Sequence, residues 1–146
     1  MSRSVAIVCT LGAGVLAAIQ PAVNASLGQH VGNLGAAFIS LLLATLIIGV
    51  LLVAFGDPGR LSGIGGLKPE HALGGIAGAA IVTISLVAVR SVGVGAVVAL
   101  LVSAQIVVSI VADRYRWFGV HEIGIGPGRI AGVVLVISGT LLVTRT

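Results

Sequence analysis

Between Arg3 and Asp57 the chain carries no charged residue, and apolar side chains fill almost all of that interval. A bilayer crossing takes about 20 apolar residues, so the interval holds two spans and a turn. The string Gly28-Gln29-His30-Val31-Gly32-Asn33-Leu34 places the turn at 29–34 and predicts spans over 4–27 and 35–55. Gly56-Asp57-Pro58-Gly59-Arg60, continuing to Lys68-Pro69-Glu70, reads as a loop from its Pro and Gly content. Two further apolar stretches, 71–89 and 92–112, are separated by Arg90 and closed by Asp113. A second polar loop opens with Arg114-Tyr115-Arg116-Trp117-Phe118-Gly119, whose three aromatic rings suit the headgroup level. A fifth span is predicted over 130–144, between Arg129 and Arg145, both able to snorkel toward headgroups. It is short enough to require slight bilayer thinning, and four spans with a peripheral tail is the alternative. The expected fold class is an all-α integral membrane bundle of five transmembrane helices in a single domain, 1–146.

Composition sharpens this picture. The chain has 146 residues, of which 58% are apolar and only 8% charged, with a mean hydropathy of +1.23. Soluble domains carry about a quarter charged residues, so a soluble enzyme, a disordered tail and a nucleic-acid module are excluded. The eight Lys and Arg residues are scattered between apolar segments. That distribution sets topology and does not form a phosphate-tracking patch; the lipid bilayer is the expected partner, and nucleic acid is not. Six of the eight fall at the N-terminus and in the second and fourth loops, against two elsewhere, which predicts a cytoplasmic N-terminus and an external C-terminus. The single cysteine, Cys9, excludes an internal disulfide and a Cys-based zinc site, and reads as a packing residue. Val23-Asn24-Ala25 imitates a signal-peptide cleavage site, but the long apolar run and the spans that follow argue for a retained helix.

Polar residues inside apolar spans are costly unless satisfied, so they carry the functional information. Gln20 and Asn24 are four apart and share a face of the first span. Pro21 between them cannot bond the Ala17 carbonyl, which predicts a helix kink there. This cluster reads either as a binding site for a polar solute or as interhelical hydrogen bonds that hold the bundle. In the fourth span Gln105, Ser109 and Asp113 follow at intervals of four and form a polar ridge. Asp113 sits at a helix C-terminus, where negative charge is disfavoured; Arg114, Arg116 and Arg129 are candidates to compensate it. An ion pair fixing the loop and a proton or substrate site both remain open. Gly74-Gly75-Ile76-Ala77-Gly78 and Gly128-Arg129-Ile130-Ala131-Gly132 read as close helix packing. Ser40, Thr45, Thr83, Ser85, Ser138 and Thr140 can bond to their own helix carbonyls. Gly124-Ile125-Gly126-Pro127-Gly128 lacks the Lys-Ser/Thr of a phosphate loop. His30, His71 and His121 lack metal-ligand spacing, and no catalytic triad, paired carboxylates or HExxH occurs. No enzymatic activity, no metal and no cofactor are expected.

These residues together resemble the small YdcZ-type proteins of the drug/metabolite transporter superfamily. The resemblance rests on Gln20-Pro21-Ala22-Val23-Asn24-Ala25-Ser26-Leu27-Gly28, Ala37-Phe38-Ile39-Ser40 and Gly74-Gly75-Ile76-Ala77-Gly78. It continues through Gln105-xxx-Ser109-xxx-Asp113, Trp117-Phe118-Gly119, Arg129-Ile130-x-Gly132 and Gly139. It implies a five-helix inner-membrane exporter of small molecules, similar to half of a ten-helix transporter and therefore paired with a second copy or a paralogue. Gln20, Asn24, Gln105, Ser109, Asp113 and Arg129 match family positions. The chain has Val89-Arg90-Ser91-Val92-Gly93 where the family tends to have Pro-Arg-Leu-Gly, which affects the third turn. Small multidrug resistance proteins, shorter and dependent on a glutamate in the first span, are the nearest rival; that span has no glutamate here.

The expected function is a transporter subunit that exports a small solute by alternating access, as a dimer or paired assembly. Solute would sit near Gln20 and Asn24 with Gln105 and Ser109 opposite, and Asp113 with Arg129 would act as a gate or ion pair. The loop-charge bias predicts that an antiparallel assembly needs an oppositely oriented paralogue. The alternative is a non-transporting membrane scaffold or accessory subunit.

Overall fold

The structure is a computed structural model and describes residues 2–115, 124 and 126–145. Helix α1 covers Arg3–Val31, α2 Asn33–Phe55, α3 Leu73–Tyr115 and α4 Pro127–Thr144. Short 3-10 helices at Pro58–Gly66 and Pro69–Ala72 join α2 to α3, and no strand occurs among the described residues. Four helices are long and apolar enough to cross a membrane. The chain divides into two compact units, Met1–Arg90 and Ser91–Thr146.

In the first unit, α1 opens with Ser2 as its N-cap, the Ser2 Oγ accepting from the Val5 N–H at 3.4 Å. The helix runs through Pro21 without leaving helical assignment, so the proline removes one backbone bond but does not end the helix. Pro21, Asn24, Ala25 and Gly28 form its buried stripe, the spacing of one helical face. The turn to α2 is a single residue, Gly32, which is tighter than the segment 29–34 that the polar string suggests. Gly32 takes φ 76° and ψ 161° and closes α1 while accepting the Ala36 N–H at 2.9 Å. Only glycine visits this backbone region readily, so one residue does the work of a loop. Ala36 and Ala37 at the start of α2 then pack with Val82 and Leu86 of α3, flanked by Leu27 and Leu41. Small residues at the mouth of the hairpin let the helices approach closely. From Leu42 to Phe55, α2 is apolar except at Thr45 and Gly49 and exposed except at Leu52, as a lipid-facing helix must be.

The predicted spans 71–89 and 92–112, but for residues 71 and 72 of the preceding 3-10 helix, fall inside one helical assignment, α3, broken at Gly93. Gly93 has φ 80° and ψ 163°, nearly the same conformation as Gly32. The interruption is therefore three residues beyond Arg90 and is set by backbone freedom, not by the charge. Residues 73–92 and 94–115 are each about 30 Å long at helical rise, enough for one hydrocarbon thickness apiece.

In the second unit, α4 begins at Pro127, earlier than the expected start at 130, and its 18 residues span about 27 Å. Proline at the first helical position has no orphan N–H to satisfy, which favours a helix start there. Contacts between residues 94–115 and α4 run in opposite chain directions. A Cβ on Gly95 would lie 4.0 Å from Val143 Cγ1, Thr140 bonds Ala99, and Arg129 meets Asp113. The descending numbers define an antiparallel helix pair.

Alanine at Gly32 or Gly93 must adopt a backbone region that side chains avoid. Each substitution is expected to cost about 1–3 kcal/mol, read as a lower thermal midpoint in detergent. Gly49→Ala, in regular helix with nothing near its Cβ position, should be neutral or stabilising by about 0.5–1 kcal/mol.

Candidate functional site

The polar candidates fall on both units, and each group is built by its own helices. In the first unit Asn24 is 5% exposed, on the same buried stripe as Pro21 and Gly28. Gln20, one turn earlier, is exposed, so the two amides differ in environment although they are four residues apart. The partnerless buried side-chain polar atoms among the described residues are Asn33 Oδ1 and Arg129 Nη1. The Asn24 amide is not one of these, and no hydrogen bond ties it to protein among the described residues. Its amide atoms therefore keep a trace of accessible surface within an otherwise buried side chain.

Arg90 adds a residue that sequence reasoning treats only as a loop charge. Its Nη2 donates to the Ala25 carbonyl at 3.1 Å, near the C-terminal end of α1. A cation is favoured there by the helix dipole, and a carbonyl oxygen can accept a second bond beside its helical one. The contact depends on Gly28. A Cβ at that position would lie 2.9 Å from Arg90 Nη2 and 3.2 Å from Asn33 Oδ1. The spacing of Arg90 from α1 in sequence gives no hint of this pairing.

In the second unit Gln105 and Ser109 are exposed. Ser109 Oγ donates to its own helix at the Ile106 carbonyl, 2.9 Å away, while Gln105 has no side-chain hydrogen bond among the described residues. Asp113 is partly buried and pairs with Arg129, Nη2 to Oδ2 at 3.1 Å. Of the three arginines near Asp113 in sequence, the fold brings Arg129 to it, and Arg116 lies outside the described residues. So do Trp117, Phe118 and His121, whereas Tyr115 is exposed at the end of α3.

A further polar contact joins the two helices of this unit. Thr140 is buried, and its Oγ1 donates to the Ala99 carbonyl at 3.2 Å. Its one hydroxyl proton is thereby used, so Ser103 Oγ donates to Thr140 Oγ1 across 2.6 Å. Thr140 thus bonds a neighbouring helix and not its own, unlike Thr10, Thr45, Thr83 and Ser85, which return to carbonyls of their own helices.

A groove of about 550 Å³ runs along α2, lined by Thr45, Leu46, Gly49, Val50, Val53 and Ala54. None of the polar candidates lines it, and the Thr45 hydroxyl is already engaged at 2.9 Å with Leu41. A polar solute needs a few convergent hydrogen-bonding groups, so this trough suits acyl chains and not solute. No group of three metal-ligating side chains occurs among the described residues.

Long apolar helices are features of a membrane protein, and comparison with known families agrees. Residues 5–142 match the family described as "Putative inner membrane exporter, YdcZ". The chain belongs to this family. No curated protein and no solved structure matches it. As a YdcZ family member it is a multi-pass inner-membrane protein, in a family of exporters and not of enzymes.

The clamp within the second unit can be tested apart from function. Thr140→Val removes both bonds at constant shape and should destabilise by about 1–3 kcal/mol. Thr45→Val, which removes only a bond within its own helix, should change the unfolding midpoint little. Equal effects of the two would refute the clamp.

Proposed function

We propose that the chain is a transporter subunit that exports a small polar solute by alternating access. The observation that carries this reading is Asn24: buried to 5% exposure and unbonded to protein among the described residues, with a trace of exposure left at its amide. Helix-gluing polar groups look different in this same molecule. Thr140, Ser103 and Ser85 have their hydroxyls engaged. Leaving an amide without a protein partner in a membrane span costs free energy, and solute or water in a crevice is what offsets it. Gln20 and Gln105 supply further amides, and Ser109 a weaker contact, since its proton is used within its helix. Pro21 leaves the Ala17 carbonyl without its helical donor and eases bending of α1.

Asp113 and Arg129 act as a gate. Their ion pair joins the C-terminal end of α3 to the N-terminal end of α4, and making or breaking it switches that end between closed and open. Residues 73–92 and 94–115 are counted as separate crossings, which gives five. The bias of positive charge then puts the N-terminus in the cytoplasm and the C-terminus outside. The transporting unit is a homodimer or a pair with an oppositely oriented paralogue, because five helices correspond to half of a ten-helix transporter.

Single cysteines in a Cys9→Ser background test the amide site. Cysteine at 24 should react with a membrane-impermeant maleimide, while cysteine at Ala36, which is fully buried, should not. Protection at both positions would favour the scaffold reading. In an efflux assay, Asn24→Ala should lower transport by about tenfold, the effect of about 1.4 kcal/mol at a binding site. Asp113→Asn and Arg129→Gln should each slow turnover, and the double variant should be no slower than either single one. Additive losses would remove the ion pair from the gating role.

A further inference from the structure

The segment joining α2 to α3 has a sidedness unrelated to the polar residues of the spans. Pro58–Gly66 is a 3-10 helix, in which residues three apart eclipse one another. Pro58, Leu61 and Ile64 therefore fall on one edge. Leu67, whose N–H donates to the Ile64 carbonyl at 3.1 Å, continues that edge. The second edge carries Gly59, Ser62 and Gly65, and the third Arg60, Gly63 and Gly66. Every large apolar side chain of the segment is thus on one line. Leu61, Ile64 and Leu67 are 57%, 67% and 59% exposed, so none of the described residues covers them. The polar side is braced locally. Asp57 Oδ1 accepts the Gly59 N–H at 3.2 Å, Asp57 Oδ2 pairs with Arg60 Nε at 3.3 Å, and Ser62 Oγ donates to the Gly59 carbonyl at 2.8 Å.

What covers the apolar edge follows from where the segment is tethered. It begins just beyond Phe55, the last residue of α2, and ends just before Leu73, the first of α3. Both helices are apolar enough to span the bilayer, so the connection leaves and re-enters at one headgroup boundary. The acyl chains of that leaflet are the nearest apolar medium. We propose that residues 57–68 lie along the membrane surface with Leu61, Ile64 and Leu67 inserted among lipid chains, and with Arg60 and Ser62 toward water. The charges of the region are compensated within it, Arg60 by Asp57 and Lys68 by Glu70 at 3.9 Å. Its membrane contact is therefore apolar in origin and does not depend on anionic lipid, unlike a polybasic surface segment. The inference rests on the membrane embedding of α2 and α3 and not on transport, so either can fail without the other.

The test uses the full chain in phosphatidylcholine vesicles, with Cys9→Ser and an environment-sensitive fluorophore on single cysteines at 61, 62, 64, 65 and 67. Labels at 61, 64 and 67 should be blue-shifted and quenched about twofold or more strongly by shallow doxyl lipid than labels at 62 and 65. Aqueous iodide should show the reverse order. The same pattern should persist when half the lipid is phosphatidylglycerol. Equal iodide access at all five positions would overturn the proposal. So would shielding at 61, 64 and 67 without doxyl quenching, because protein would then be the cover. Insertion that appears only with phosphatidylglycerol would overturn the apolar origin of the contact.

Discussion

Hydrocarbon offers no hydrogen bonds, and every polar group carried into it must be satisfied by the protein or by something the protein admits. This constraint sorts the polar residues of the chain. Thr10, Thr45, Thr83 and Ser85 turn back to their own helices and become nearly apolar in effect. Ser103 and Thr140 spend their hydroxyls across a helix pair. Arg90 is discharged onto a carbonyl near the negative end of α1. Asn24 and Asn33 Oδ1 stand apart from this sorting, since neither has a side-chain hydrogen bond among the described residues.

The same constraint explains how the chain reverses direction with so little loop. A long connection would expose many backbone groups near the membrane, whereas a single glycine at positive φ exposes few. Gly32 meets this need between α1 and α2, and Gly93 takes the same conformation within α3. Close approach at the first turn follows from Gly28, Ala36 and Ala37, which leave space for Arg90 and Asn33 to reach the end of α1. Small side chains here provide access for polar contacts as well as packing.

Much of the helical architecture is legible in the sequence, because length and apolarity alone decide whether a segment can be a span. The stretches 4–27, 35–55 and 130–144 all lie within observed helices. The limits are less legible, since helices extend through Gln29, His30 and Val31, which look like turn residues but tolerate helix until a glycine ends it. Arg90 and Ser91 signal the break between the third and fourth stretches, but its place at Gly93 follows from the backbone freedom of glycine and not from polarity. Among candidate contacts, Asp113 has an arginine partner as its helix end demands, but proximity along the chain cannot select Arg129 over Arg114. Thr140 is indistinguishable in sequence from the self-bonded threonines. The apolar edge of Pro58–Gly66 has a period of three, which searches for helical or strand periods pass over.

The Asp113–Arg129 pair has an electrostatic peculiarity that bears on how it could switch. Asp113 lies in the last turn of α3 and Arg129 in the first turn of α4. A carboxylate is disfavoured at a helix C-terminus and a cation at an N-terminus, so each charge is poorly placed with respect to its own helix. Each is well placed only toward the other: Arg129 approaches the negative end of α3, and Asp113 the positive end of α4. The pair and the two helix ends therefore form a four-part arrangement in which separation costs more than one exposed salt bridge. Arg129 also keeps Nη1 buried and without a partner among the described residues. An anionic or carbonyl-bearing group able to reach that nitrogen would compete with Asp113 for the guanidinium. Local charge placement thus ties this end of the helix pair together through two side chains and two helix ends, each of which is well placed only because the others are there.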